Sequence, residues 1–191
     1  MKNSRRLIAL LLALALCVGL LPAGAAGTTL RISTPEQLVR LSQDCTLDAY
    51  SRNLTVLLTA DIHLTGAGFQ PIPIFCGVFD GNGHTVSGLT VEGRGSDLGF
   101  IRYVEAGAVV KDLTLQACVR PEGSQTGIGG VAGQNEGTIE NCTVSGLVEG
   151  GEEVGGIAGR NLESGLIRSC SNQAAVTGST RTGGIAGYNT G

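Results

Sequence analysis

Gly129-Gly130-Val131-Ala132-Gly133-Gln134-Asn135 recurs as Gly155-Gly156-Ile157-Ala158-Gly159-Arg160-Asn161 and again as Gly183-Gly184-Ile185-Ala186-Gly187-Tyr188-Asn189. The starts of these blocks are 26 and 28 residues apart. Between them lies a second match: Ile139-x-x-Cys142, then Val148 and Gly150, is answered by Ile167-x-x-Cys170, then Val176 and Gly178. Cys142 precedes Gly155 by 13 residues, as Cys170 precedes Gly183. The two-residue difference in period therefore falls between Asn135 and Gly137 in one copy and between Asn161 and Gly165 in the next. A length change confined to an Asn-to-Gly segment marks a surface turn, where extra residues cost little.

Self-similarity at a period of 20–50 residues signals a solenoid, a propeller or another repeat array. Within one period the apolar residues form short β segments, around Val131, Ile139 to Val144 and Leu147 to Val148, separated by glycine-containing turns. Three short strands per period fit one coil of a parallel β-helix, each coil hydrogen-bonding to the next at about 4.8 Å. Equivalent residues then stack: Ile139 on Ile167, Cys142 on Cys170, Val148 on Val176. The pattern continues upstream in bulkier form. Val86-x-x-Leu89-x-Val91 and Val110-x-x-Leu113-x-Leu115 match the spacing of Ile139, Cys142 and Val144, and Leu98-Gly99-Phe100-Ile101 stands in for the glycine pair. Asn172 breaks the series where Val144 stands in the neighbouring coil; an internal amide ladder or a local bend would absorb it.

Ahead of the coils, Thr34-Pro35-Glu36-Gln37 places an N-cap Thr, Pro at N1 and Gln at N3 before Leu38, Val39 and Leu41. This capping box predicts a helix running to about Gln43, positioned to cover the open edge of the first coil. The first 26 residues read as a secretory signal peptide: Lys2, Arg5 and Arg6, an apolar run from Leu7 to Leu21, then small residues at Ala23 and Ala25 with cleavage expected after Ala25 or Ala26. That run is shorter than the roughly 18–20 residues needed to span a bilayer, and no later segment is apolar enough. The expected organisation is a signal peptide, 1–26; an N-terminal helix and cap, 27–53; and a β-helix, 54–191, with repeats at 128–153, 154–181 and an incomplete 182–191. Because the chain stops at Thr190-Gly191 within a repeat, a longer protein is expected.

Of 191 residues, 31 are Gly, 7 are Phe or Tyr and none is Trp. Three of the 13 Lys and Arg lie in the first six residues, leaving 10 against 16 Asp and Glu. An acidic, aromatic-poor body lacks the cationic field and stacking rings of a nucleic-acid binder. Cys45, Cys76, Cys118, Cys142 and Cys170 contain no C-x-x-C pair, so a zinc or redox motif is not indicated; the spacing allows a bridge but selects no pairing. Asp80-Gly81-Asn82-Gly83-His84 places a carboxylate and an imidazole four apart, a possible base and partner. A turn in which Asp80 and Asn82 bond the backbone accounts for it more simply. Its spacing does not suit an EF-hand, since Thr85 and Val91 stand where Gly and Glu are needed.

The repeats resemble the GLUG motif found in exported bacterial surface proteins. Phe79-Asp80-Gly81-Asn82-Gly83-His84-Thr85-Val86-Ser87-Gly88-Leu89 is similar to the coil that commonly precedes such repeats, as is the Ile32–Leu38 opening. The resemblance implies an all-β fold, a right-handed parallel β-helix with a short N-terminal helix, on or outside the cell envelope. The expectation is a non-enzymatic secreted or cell-surface scaffold or adhesin segment that binds an extracellular glycan or protein, with no catalytic, cofactor or metal residues assigned. The alternative is a carbohydrate-active β-helix enzyme, lyase or glycosidase, drawing two carboxylates from Asp61, Asp80, Glu92 and Asp97. Against it, sugar-stacking aromatics are few and no carboxylate is seen to recur on successive coils. Glu152, Glu153 and Glu163 read as solvated charge on turns, and His63 as an outward side chain without a partner. The triplets Asn53-Leu54-Thr55 and Asn141-Cys142-Thr143 match the glycosylation pattern no better than chance predicts.

Overall fold

A computed structural model describes residues 27–191; the expected signal segment, 1–26, lies outside them. Strand β1 (Thr28–Ile32) comes first, then helices α1 (Pro35–Asp44) and α2 (Asp48–Ser51). A first coil follows, built from β2 (Leu54–Leu58), β3 (Ile62–His63) and β4 (Ile72–Phe75). The next contains β5 (Val78–Asp80), β6 (Thr85–Val91) and β7 (Ile101–Val104). Later coils have four sides. One comprises β8 (Val109–Lys111), β9 (Thr114–Val119), β10 (Thr126–Gly129) and β11 (Ala132–Asn135). Its successor comprises β12 (Thr138–Glu140), β13 (Thr143–Glu149), β14 (Glu152–Gly155) and β15 (Ala158–Asn161). The last described coil has β16 (Leu166–Arg168), β17 (Ser171–Asn172), β18 (Ala175–Thr177), β19 (Thr180–Gly183) and β20 (Ala186–Asn189).

Strands with equal positions in successive coils pair in parallel, giving a β-solenoid of about 6 turns. One face orders β1-β2-β5-β8-β12-β16 and a second β3-β6-β9-β13-β17, with β18 also on β13. The others are β10-β14-β19 and β4-β7-β11-β15-β20. The expected stacking holds: Ile139 pairs with Ile167 and Val148 with Val176, while Cys142 and Cys170 lie between the matched pairs Glu140–Arg168 and Thr143–Ser171.

Upstream, one register differs from the sequence reading. Val110 does pair with Ile139, but its predecessor in the column is Phe79, and Val86 pairs with Leu115. The four-residue connection Gly81–His84 between β5 and β6 replaces the two residues Asp112–Leu113 between β8 and β9, so matching apolar spacing alone put Val86 in the wrong column. Of the two expected ways to absorb Asn172, the local bend is the one found: its amide accepts from Ala174 N at 2.9 Å and donates to Ala174 O at 3.2 Å, holding the bend that separates β17 from β18 where β13 runs unbroken.

Helix α1 carries the expected capping box, with Thr34 Oγ1 accepting from Gln37 N and the Gln37 side chain from Thr34 N. It buries Leu38 and Leu41 and packs by β4, the edge strand of its face. Strand β1, which the sequence reading did not anticipate, pairs with β2 before the helix begins.

The interior changes character along the column. Early coils are filled by Phe69, Phe75, Phe79 and Phe100; the Phe79 ring meets Phe100 edge-on at 5.4 Å between centroids and Phe75 at 6.1 Å. Later coils are filled by Val, Ile and Ala, with backbone approaching backbone at the glycine corners. A Cβ on Gly129 would lie 2.1 Å from Ala132 O and 2.6 Å from Gly159 N, which explains why a side chain is excluded there.

Candidate functional site

Where the β5-β8-β12 face turns into the β6-β9-β13 face, a polar groove of about 490 Å³ opens. The corner is shaped by residues with positive φ, Asp112 at 53° and Asn141 at 51°, each one residue past its strand. Asn and Asp tolerate this left-handed conformation better than other non-glycine residues. The corner aims their side chains along the column: Asn141 Nδ2 donates to Asp112 Oδ1. Lys111 Nζ lies 2.8 Å from Asp80 Oδ2 and 3.2 Å from Asp112 Oδ2. Hydrogen bonds to Asp80 and then Asp112 hold the Lys111 ammonium above its ordinary pKa, while Asn141 and then Lys111 hold the Asp112 carboxyl below its own. Lys111 is thus shared between two carboxylates, which leaves the groove one net negative charge.

The Asp80–His84 pair read from the sequence does not form. Asp80 accepts from Asn82 N at 2.8 Å, the turn bond anticipated, and faces Lys111. His84 instead turns to the previous coil, its Nδ1 3.1 Å from Asp61 Oδ1. Thr85 N donates to the same oxygen at 2.9 Å; that bond first, and His84 second, depress the Asp61 carboxyl. Asp61 and Glu92 are exposed, and no ion pair or hydrogen bond among the described residues joins any two of Asp61, Asp80, Glu92 and Asp97. His63 has a partner after all, Ser87 Oγ at 2.9 Å from Nδ1, because β3 and β6 pair His63 with Ser87.

Two arrangements were missed. Glu152 and Glu163 are exposed as expected, but Glu153 is buried. Asp97, Gly127, Glu153 and Arg181 occupy one left-handed column, and Gly127 carries no side chain because a Cβ would meet Asp97 Oδ1 at 2.3 Å. Across that gap Arg160 joins Asp97, Nη1 to Oδ1 at 3.1 Å, and Glu153, which Arg181 also engages. Burial pushes the Glu153 carboxyl up, but Arg160, Arg181 and Thr126 together outweigh it and leave the group below its ordinary value. Tyr103 donates to Asp97 Oδ2 at 3.3 Å. The signal available was the Gln134, Arg160, Tyr188 column beside it.

The second corrects the expectation that no carboxylate recurs. Glu105 N donates to Phe75 O, as Glu136 N does to Val104 O, so Glu105 and Glu136 follow paired residues of successive coils. Burial, then Glu136 and Asp48, raise the Glu105 carboxyl. Among the described residues no group of three or more His, Cys, Asp or Glu is arranged to hold a metal. No described helix is long and apolar enough to cross a membrane.

Comparison with known proteins rests on the coils just described. Residues 124–148, which run from the start of the third face into β13, match the GLUG motif. The chain carries a GLUG repeat. An alignment of 126 positions, which covers 57% of this chain and 1% of Halomucin of Haloquadratum walsbyi (strain DSM 16790 / HBSQ001), is 35% identical. Among solved structures, a candidate immunoglobulin A1 protease from Bacteroides ovatus superposes with a TM-score of 0.60 at 19% identity, over 86% of this chain and 64% of that one. At such identity the likeness concerns the fold alone. The chain spans a very small part of Halomucin and less than two thirds of the structural neighbour. A GLUG repeat on a parallel β-helix fits an extracellular repeat protein.

Proposed function

We propose that this protein is a non-enzymatic extracellular scaffold or adhesin segment whose polar groove binds a hydroxyl-rich ligand, a surface or matrix glycan. The observation that supports this most is the groove itself: carboxylates at Asp80 and Asp112, an ammonium at Lys111 and amides at Asn82 and Asn141 offer donors and acceptors from successive coils. Because Asp80 and Asp112 are both ion-paired to Lys111, these groups suit recognition better than proton transfer. The test is a glycan-array screen with the full chain, followed by affinity and product assays. Binding without turnover is expected, and Lys111→Ala or Asp112→Ala should weaken it by roughly tenfold or more, as loss of charged hydrogen bonds implies. Unchanged binding in both variants would remove the groove from the reading.

A second reading, a carbohydrate-active enzyme, is favoured by Glu105 and Glu136. Their backbones lie one strand spacing apart, about 4.8 Å, which sets on successive coils the pair of carboxylates that glycoside hydrolysis uses. The raised Glu105 carboxyl would suit an acid. Polysaccharide cleavage that disappears in Glu105→Gln and Glu136→Gln, with the fold intact, would establish this reading over the first.

A further inference from the structure

At the corner beside the polar groove, Cys142 and Cys170 occupy the same position of successive coils. Glu140–Arg168 before them and Thr143–Ser171 after them are in parallel register. Their α-carbons are therefore one strand spacing apart, about 4.8 Å, inside the roughly 4.4–6.8 Å that disulfides span. Both side chains turn inward in the same way: Cys142 Sγ lies 3.2 Å from Glu140 O, and Cys170 Sγ lies 3.3 Å from Arg168 O. Each carbonyl is two residues before its cysteine, so the thiols share one orientation. Leu113 precedes them in the column, so among the described residues the two sulfurs are neighbours without a third. Cys118 lies elsewhere, in register with Thr90 and Leu147, and Cys45 follows α1.

We propose that Cys142 and Cys170 form a redox pair that closes into a disulfide between successive coils by exchange with a small disulfide oxidant. The two thiols are unequal in a way that orders the steps. Cys142 is fully buried, and the neighbouring Cys170 side chain and its burial push its thiol up. Cys170 is half-buried, and the neighbouring Cys142 side chain is the main cause that lowers its thiol to about 7. A thiolate is the attacking species in exchange. The Cys170 sulfur attacks one sulfur of the oxidant, breaking its S–S bond, releasing one thiolate and leaving a mixed disulfide. Cys142 then gives up its proton, its sulfur bonds to Cys170, and the second oxidant sulfur leaves as thiol. Two protein thiols are oxidised, and one oxidant disulfide is reduced to two thiols. The product ties two neighbouring coils covalently across a whole turn of the column. The extracellular reading supplies only the compartment where such an oxidant is met, and failure of the test below would leave that reading standing.

The experiment uses the full chain, oxidised glutathione and mass spectrometry. The expected result is the loss of two alkylatable thiols, a proteolytic peptide joining Cys142 to Cys170, and a rise in Tm of several degrees that dithiothreitol reverses. In Cys142→Ser the linked peptide should vanish and Cys170 should persist as a mixed disulfide with glutathione. Where that variant does not fold, Cys170→Ala in the outer coil serves the same purpose. Both thiols still alkylatable in the folded, glutathione-treated protein, or Cys142 linked to a different cysteine, would overturn the proposal.

Discussion

The phenylalanine-filled coils and the GLUG coils share one backbone pairing but fill their interior by different means. Along one face a single column reads Ile72, Ile101, Ala132, Ala158, Ala186; three residues on, it reads Phe75, Val104, Asn135, Asn161, Asn189. Early coils exclude water with large apolar side chains whose rings interlock. Later coils gain a fourth side, draw the backbone inward at glycines, and replace the aromatic column with amides. Asn135 Nδ2 donates to Asn161 Oδ1 at 2.7 Å, and Asn161 Nδ2 to Asn189 Oδ1 at 2.7 Å. A buried amide is tolerable when bonded, and in-register stacking gives each of these a partner of its own kind. Asn135 Oδ1, at the level where the column changes to Val104, finds no partner among the described residues. The lesson is that coil register is conserved while the interior alternates between apolar volume and close backbone contact.

Substitutions in the two regions should separate these modes. The largest effect is expected for Phe79→Ala, which removes a fully buried ring from the contact with Phe75 and Phe100; urea unfolding should show a loss of about 3–5 kcal/mol. Gly129→Ala attacks the other mode, because its new methyl group would meet backbone atoms and not a movable side chain. A cost of about 3 kcal/mol, the upper end for overpacking, is expected; a neutral result would show that the corner can widen.

Asn161→Ala breaks the ladder at its centre, removing bonds to Asn135, Asn189 and Gly165 O. About 2 kcal/mol should be lost by the same measurement. Arg160→Ala leaves Asp97 without its bridging cation and Glu153 with Arg181 alone, for a similar or slightly smaller loss near neutral pH. Its pH dependence is diagnostic. A depressed Glu153 carboxyl stabilises the fold above its ordinary value of 4.5, and this contribution is lost as pH falls through the lowered value. In Arg160→Ala the acid-side decline should be shallower, because a Glu153 carboxyl no longer held as far below its ordinary value loses less stabilisation on protonation. Lys111→Ala, on the solvated flank, should change stability by less than about 1 kcal/mol, whatever it does to binding.

Much of the column is legible in the amino-acid sequence. The glycine blocks, the Ile139–Cys142 and Ile167–Cys170 spacing, and the capping box at Thr34 are local patterns, and each describes what its own segment does. The candidate site is legible there only as residue types. Asp80 is visible, yet its partner Lys111 lies one coil away; His84 finds Asp61 in the preceding coil. Glu153 reads as surface charge because Arg160 lies on the next strand and Asp97 two coils back. Glu105 and Glu136 escape notice because the residue before them changes from Val104 to Asn135.

The amino-acid order alone determined that successive segments stack, since an apolar strip recurring every 26 to 28 residues can be covered only by its neighbouring copies. Only the tertiary structure decided which charged and polar groups meet. Those meetings depend on connection lengths, such as the four residues between Asp80 and Thr85, and on gaps such as Gly127, and a shift of one position in either would give every side chain beyond it a different neighbour.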